Sequence, residues 1–274
     1  MADARWLDCP VVIPYMGGKF ELSRTLVPML APHVRYIEVF AGGLSMFFRK
    51  KKADWNVVND VDRDIINLYE SIRTDYDSFK EQAYWMVKSR ELFNKWKKEI
   101  NDKEGINIPD PERAAKYYYV IRCAFNRSAV GTLSKDSDWH TRLLNDIKYS
   151  RLKFDDTIME HMDFRDLVKK YPPRKGDMWY LDPPYVIAGE RGDYYHYSFS
   201  KKDHEDMAEI CKEIDNENGK FMVSYDDRYE VKSLFHGYNI IPLKVLYSGM
   251  QHNKKEKTEL AICNYQPSGQ SSLF

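Results

Sequence analysis

Asp182-Pro183-Pro184-Tyr185 follows directly on the apolar run Met178-Trp179-Tyr180-Leu181. A carboxylate at the mouth of an apolar strand is costly unless a partner uses it. Two consecutive prolines lack N–H groups and lock φ, so they end a strand and hold a rigid, extended turn. In isolation the segment reads equally as a strand with a proline-rich stop. Two further features alter that balance. Phe40-Ala41-Gly42-Gly43 closes an apolar run, and glycine lets a backbone approach a ligand closely while the next helix offers its N-terminus. Asp60 ends a second apolar run 18 residues past Gly42, near the spacing of roughly 20 at which an acid meets ribose hydroxyls in nucleotide-binding sheets. Each has an ordinary alternative, a Gly-Gly turn and an N-cap for a helix from Val61. All three stand at the carboxyl ends of predicted strands, where open α/β sheets bind ligands. Together they describe a site for an adenosine-like cofactor beside a carboxylate and a ring. P-loop and G-x-G-x-x-G spacings are missing, which argues against a phosphate-binding dinucleotide site.

The elements that would position these residues follow from the pattern. A strand is predicted over 35–43, a helix-compatible stretch over 44–50 and a second strand over 56–60. A helix follows, with Ile65, Leu68, Tyr69 and Ile72 on one face. Strand–turn–helix alternation at this spacing predicts a parallel α/β sheet. From 75 the texture changes: one amphipathic helix over 76–100, a loop over 105–112, a helix over 113–128 and a polar, irregular stretch over 131–146. The α/β pattern resumes with a strand, Asp163 and a helix over 157–172, the strand before Asp182, and a helix then a strand over 200–227. Segments 239–249 and 259–265 read as an antiparallel pair at a sheet edge, joined by a loop carrying Lys254, Lys255 and Lys257. The expected organisation is a catalytic domain over 10–74 and 154–265, a mostly helical insertion over 75–153 and a disordered tail over 266–274.

Composition bounds the partners. Lys+Arg and Asp+Glu number 42 each, so DNA binding would need a local basic face rather than a global field. Twenty Tyr and six Trp supply rings for cores and for base stacking. Cys9, Cys123, Cys211 and Cys263 lack C-x-x-C spacing, which predicts reduced thiols rather than a zinc site or disulfide framework. Residues 1–10 carry no apolar run, and no segment is long and apolar enough for a bilayer. The expectation is a cytoplasmic protein with no membrane and no metal.

Seven segments, in order, resemble the motifs of Dam-like DNA adenine-N6 methyltransferases: PYMGGKF (14–20), EVFAGGLSMFF (38–48), NDVDRDIINLY (59–69), DPPY (182–185), YHYSFS (195–200), FMVSYDD (221–227) and KKEKTELAICNY (254–265). The resemblance implies a Rossmann-like sheet with a helical target-recognition insertion and S-adenosyl-L-methionine as methyl donor, leaving S-adenosyl-L-homocysteine. It carries cofactor roles to Tyr15, Gly17, Gly18 and Lys19, to Phe40, Gly42, Gly43 and Ser45, to Asp60 at the ribose, and to Asp163 at the adenine, with Asp182 beside the cofactor. Leu44 stands where the family's commonest loop, F-x-G-x-G, has its second glycine; Gly43 is expected to supply the flexibility.

The chemistry then accounts for Asp182-Pro183-Pro184-Tyr185. An exocyclic adenine N6 is a poor nucleophile because its lone pair is delocalised into the ring. Acceptors at the Asp182 carboxylate and Pro183 carbonyl would localise that pair as the methyl arrives. Tyr185 would stack on a base flipped out of the duplex. For DNA contact the resemblance points to Arg122, Asn126, Arg127 and Ser128; Arg and Asn read G and A edges bidentately. Tyr195 and His196 would line the base pocket or simply pack. Lys254 and Lys255 would grip the backbone or serve as edge-strand solubility lysines. A lysine-rich stretch from Lys88 to Lys98 would neutralise phosphates or, with Glu91 and Glu99 interspersed, form an ordinary solvated face. The expected partner is double-stranded DNA, bound by a monomer, with a separate cognate restriction enzyme as a conceivable companion. Cytosine-N4 or RNA amino-methylation and a catalytically inactive DNA-binding relative are the alternatives. Asp182 favours adenine, because cytosine-N4 enzymes commonly carry serine there.

Overall fold

The computed structural model describes residues 11–15, 18–103, 106–137, 139–185, 199–247 and 255–267. Seven strands among them form one sheet: β1 Arg35–Glu38, β2 Trp55–Asn59, β3 Thr157–Glu160, β4 Asp177–Leu181, β5 Lys220–Asp226, β6 Asn239–Tyr247 and β7 Lys255–Cys263. Their order is β3-β2-β1-β4-β5-β7-β6. The first five run parallel, and β7 inserts antiparallel between β5 and β6. The fold is the expected Rossmann-like α/β sheet. Every residue of β1 and β4 is buried, as in a parallel sheet covered on both faces, which is why these strands read as continuous apolar runs. Alternation still divides them: Tyr36, Val58, Met178 and Tyr180 enter one core and Ile37, Val57, Trp179 and Leu181 the other.

The chain runs from β1 outward to β2 and β3, then returns to pair β4 on the other side of β1. That reversal makes the β1/β4 junction the switch point at which a parallel sheet opens a crevice at its carboxyl edge. At the opposite edge the buried Arg35 guanidinium is bonded to Asp177, Nε to Oδ1 at 2.8 Å, pinning the two strands together. At the working edge Asn59 does the same job: its amide donates to the Val39 and Met162 carbonyls and its Oδ1 accepts the Met162 N–H, tying β1, β2 and the turn after β3.

The block between β2 and β3 is helical, but its divisions differ from the expected ones. The stretch predicted as one helix is two, Tyr76–Tyr84 and Arg90–Asn101. The Ser89 hydroxyl accepts the Leu92 N–H and restarts the second. The next helix, Pro111–Cys123, starts on an Asp110 cap with proline in its first turn. Helix Arg142–Arg151 begins inside the stretch expected to be irregular. Leu144 and Ile147, three residues apart and so on one face, are buried, and the Tyr76 hydroxyl donates to the Leu144 carbonyl. The apolar faces of these helices join the sheet's own core, where Phe48, Tyr69, Tyr117 and Phe154 belong to one continuous cluster. Buried Asp64 receives Arg113 Nε at 2.6 Å and Lys103 Nζ at 2.5 Å, which fastens helix Arg63–Thr74 to the helical block. Pro267, expected in the tail, is buried. Among the described residues no helix is long and apolar enough to cross a membrane.

Candidate active site

The loop after β1 is built on left-handed backbone. Gly42 has φ 43° and Leu44 φ 53°. Leu44, the departure from the resembled motif, adopts the conformation glycine favours, at a cost of about 1–2 kcal/mol, and its side chain is held in the core. The freedom expected of Gly43 is therefore supplied by its neighbours. Gly43 is required for a different reason: a Cβ there would come within 3.2 Å of the Ile13 carbonyl and of the Tyr15 side chain. Tyr15 also packs its ring on Gly42, 3.2 Å from where a Cβ would stand. Gly18 turns the chain back by donating its N–H to the Tyr15 carbonyl at 2.9 Å. The Gly42 peptide is clamped from both sides, its N–H given to Asp60 Oδ2 at 2.9 Å and its carbonyl accepting the Tyr69 hydroxyl at 2.6 Å.

Asp60 is not the helix cap; Asp62 caps helix Arg63–Thr74. Asp60 instead holds the glycine loop and the Asp62 N–H. Burial pushes its carboxyl up to about 7, against the backbone N–H groups of Gly42, Asp62 and Val61 that favour the charged form. Glu38, at the end of β1, is buried and pushed up to about 8 by burial, while the Tyr36 hydroxyl donates to it at 2.7 Å.

Asp182 emerges from β4 beside this loop. Lys19 Nζ lies 2.8 Å from its Oδ1, and the Ser224 hydroxyl of β5 donates to the same oxygen at 2.8 Å. Burial raises the Asp182 carboxyl, and the Lys19 ammonium opposes that rise. Pro183 is buried behind it. The Tyr185 hydroxyl donates to Glu259 Oε2 at 2.9 Å, and Lys19 Nζ stands 4.7 Å from the Tyr185 ring centroid. Neither Ser224 nor Glu259 was singled out from the sequence. Both had a signal, a polar residue at an otherwise apolar strand position in FMVSY and ELAIC.

On the far side of the loop Asp163 caps helix Phe164–Lys170 through the Arg165 N–H. Arg165 ties Asp163 to Asp203 and Asp206 of helix Lys201–Asn216. Phe40, Phe164 and Phe199 meet here with ring centroids 5.7–5.8 Å apart. One cavity of about 240 Å³ joins all these parts, from Tyr15, Lys19 and Ser45 through Gly42, Gly43 and Asp60 to Asp163, Asp182 and Tyr185. The structure thus brings together every described residue expected at the cofactor; Gly17 lies outside the described residues.

The residues expected at DNA are placed differently. Arg122 donates to the Val12 carbonyl and stacks over Tyr118. Arg127, at φ 54°, donates to the Arg122 carbonyl, and Ser128 is buried. The Asn126 backbone lies in the short helical turn Phe125–Arg127. Lys88 bonds the Lys135 and Ser137 carbonyls, and Lys97 those of Val130 and Gly131. Those two lysines brace the helical block. Lys255 opens strand β7, opposite Tyr247, rather than lying in a loop. Tyr195, His196 and Lys254 lie outside the described residues.

A model of the D12 class N6 adenine-specific DNA methyltransferase family matches residues 15–248. The type II methyltransferase M1.LlaDCHI of Lactococcus lactis subsp. cremoris is 25% identical, over 92% of this chain and 94% of that one. The retron Ec67 DNA adenine methylase of Escherichia coli is 22% identical, over 83% of this chain and 81% of that one. The DNA N-6-adenine-methyltransferase of Escherichia phage P1 is 22% identical over 85% of this chain, which spans only 32% of that protein.

Proposed function

Because the chain belongs to the D12 class N6 adenine-specific DNA methyltransferase family, we propose that this cavity holds S-adenosylmethionine against a target adenine turned out of duplex DNA. The observation that carries the reading is the convergence of the glycine loop of β1, Asp60 after β2 and Asp182-Pro183-Pro184-Tyr185 after β4 on one cavity. The donor set suits the cofactor. Six acids, among them Glu38, Asp60, Asp163 and Asp182, line a cavity walled by aromatic rings, a fitting lining for a cationic nucleoside. Asp60 would hold the ribose, Asp163 and the phenylalanines the adenine, and the loop at Gly42 the remainder. When bound, S-adenosylmethionine supplies an electrophilic methyl group.

The chain's own residues prepare the acceptor. The Asp182 carboxylate and the Pro183 carbonyl accept hydrogen bonds from the adenine amine, drawing its lone pair out of the ring as the new bond forms. Pro183 and Pro184 fix the direction of the second acceptor. Tyr185 offers a face that replaces part of the stacking lost on flipping. Incubation with duplex and single-stranded DNA and labelled S-adenosylmethionine, followed by nucleoside analysis, should yield N6-methyladenine; its absence from every DNA tried would sink the reading.

Gly42→Ala is expected to weaken the cofactor about tenfold, since alanine at positive φ costs about 1–2 kcal/mol and its Cβ would press on the Tyr15 ring. Calorimetric titration checks this, and wild-type affinity would refute it.

A further inference from the structure

We infer that Glu259 is a positioning residue for the target base: it anchors the Tyr185 hydroxyl and so sets the plane on which the adenine rests. The inference builds on the proposed function and adds to it a residue from the antiparallel edge of the sheet. Glu259 lies on β7 opposite Asp226 of β5, and its side chain is fully buried. A buried carboxylate persists only with partners. Its Oε2 accepts the Tyr185 hydroxyl at 2.9 Å and stands 3.9 Å from Lys19 Nζ. Lys257, two residues along the strand and so on the same face, places its ammonium 5.4 Å from the Tyr185 ring centroid.

The geometry gives this contact a purpose. Tyr185 follows two prolines that fix backbone direction but leave its own χ1 and χ2 free. A charge-assisted bond from its hydroxyl to a strand-borne carboxylate removes that freedom at the far end of the ring. Burial raises the Tyr185 hydroxyl well above its ordinary range, so it remains a donor throughout the working pH range. Asp182 is meanwhile steadied from β5 by Ser224. The amine acceptor and the stacking ring are thus braced by neighbouring strands, β5 and β7, and held in mutual register. Misplacing the ring would leave the amine off its acceptors, which costs turnover more than cofactor binding.

The test compares wild type with Glu259→Ala, Glu259→Gln and Tyr185→Phe on unmethylated genomic DNA, with cofactor affinity measured by calorimetry. Loss of one charge-assisted bond predicts a kcat lower by about 10–100-fold in Glu259→Ala, with cofactor affinity retained. Glu259→Gln, which keeps an acceptor, should recover most of that loss. Tyr185→Phe should lose kcat similarly, and combining it with Glu259→Ala should add little further. Should Glu259→Ala not fold, Tyr185→Phe and Glu259→Gln decide alone. Wild-type kcat in Tyr185→Phe, no recovery in Glu259→Gln, or losses that multiply in the double variant would each overturn the inference. A wild-type protein inactive on every DNA removes the functional reading and this inference together; an active wild type with indifferent variants removes the inference alone.

Discussion

Asp182→Ala is expected to reduce methyl transfer about 10³-fold, the scale seen when a preorganised polar group facing developing charge is removed. DNA binding should persist. The carboxylate sits at the carboxyl end of β4, with Lys19 at 2.8 Å and the Ser224 hydroxyl at 2.8 Å on one oxygen. Those contacts hold its orientation before any base arrives. Alanine removes the acceptor and also the nearer carboxylate of the Lys19 ammonium, leaving Glu259 Oε2 at 3.9 Å from it; Lys19 is 4% exposed. Breaking a buried pair in this way costs about 3–5 kcal/mol of stability, so a lower Tm accompanies the lost activity. Asp182→Asn separates the two effects. It keeps the volume and one oxygen for Lys19, and so should fold near wild type while transfer stays severely impaired. The readouts are N6-methyladenine formed per enzyme, thermal unfolding, and fluorescence anisotropy with labelled duplex. Activity within tenfold of wild type in Asp182→Asn would refute the assigned role.

How far such a site is legible in a sequence depends on which strands build it. The glycine loop, Asp60 and Asp182 follow β1, β2 and β4, which are parallel neighbours. Residues at the ends of parallel strands converge without knowledge of long-range register, so local pattern was enough to group them. Glu259 and Ser224 come from β7 and β5, joined antiparallel. Their position depends on where β7 inserts and in which register, and a one-residue slip would turn Glu259 to the other face. Nothing local fixes that. The helical block failed for the opposite reason. Amphipathic spacing runs unbroken through Trp85–Ser89, and the break is announced only by the Ser89 cap. Helix Arg142–Arg151 interleaves its apolar residues with Arg142, Asn145, Asp146, Lys148 and Arg151, too sparse a stripe to show periodicity. Lysines such as Lys88 and Lys97 resemble a phosphate-binding face in sequence, yet they bond main-chain carbonyls within the protein. Charge along a helix does not reveal whether its partner is a nucleic acid or the next loop.

Lys19→Met should shift the acid limb of the activity profile to higher pH. Burial raises the Asp182 carboxyl and the Lys19 ammonium is the largest opposing influence. Without that charge the raised carboxyl rises further, and the proton stays on to higher pH than in wild type. A protonated Asp182 is a poor acceptor for the amine, so transfer should fall about 10–100-fold on the acid side of the displaced limb and recover as pH rises. Stability follows the same sign. The unfolded chain ionises Asp182 in the ordinary carboxylate range, whereas the folded variant holds its proton to higher pH. The folded variant therefore binds more protons across that window. Its Tm relative to wild type should be best on the acid side, falling as pH rises through the elevated folded value. Two effects of lysine loss are thereby told apart. If Lys19 mattered only as packing, the profile would be scaled down without moving, because methionine retains most of the stem's volume. If it mattered only by holding the cofactor, affinity would fall and saturating cofactor would restore turnover at every pH. Steady-state kcat at saturating cofactor, measured as a function of pH beside wild type, distinguishes all three. A limb that coincides with wild type, or recovery toward acid, would exclude the proposed electrostatic role.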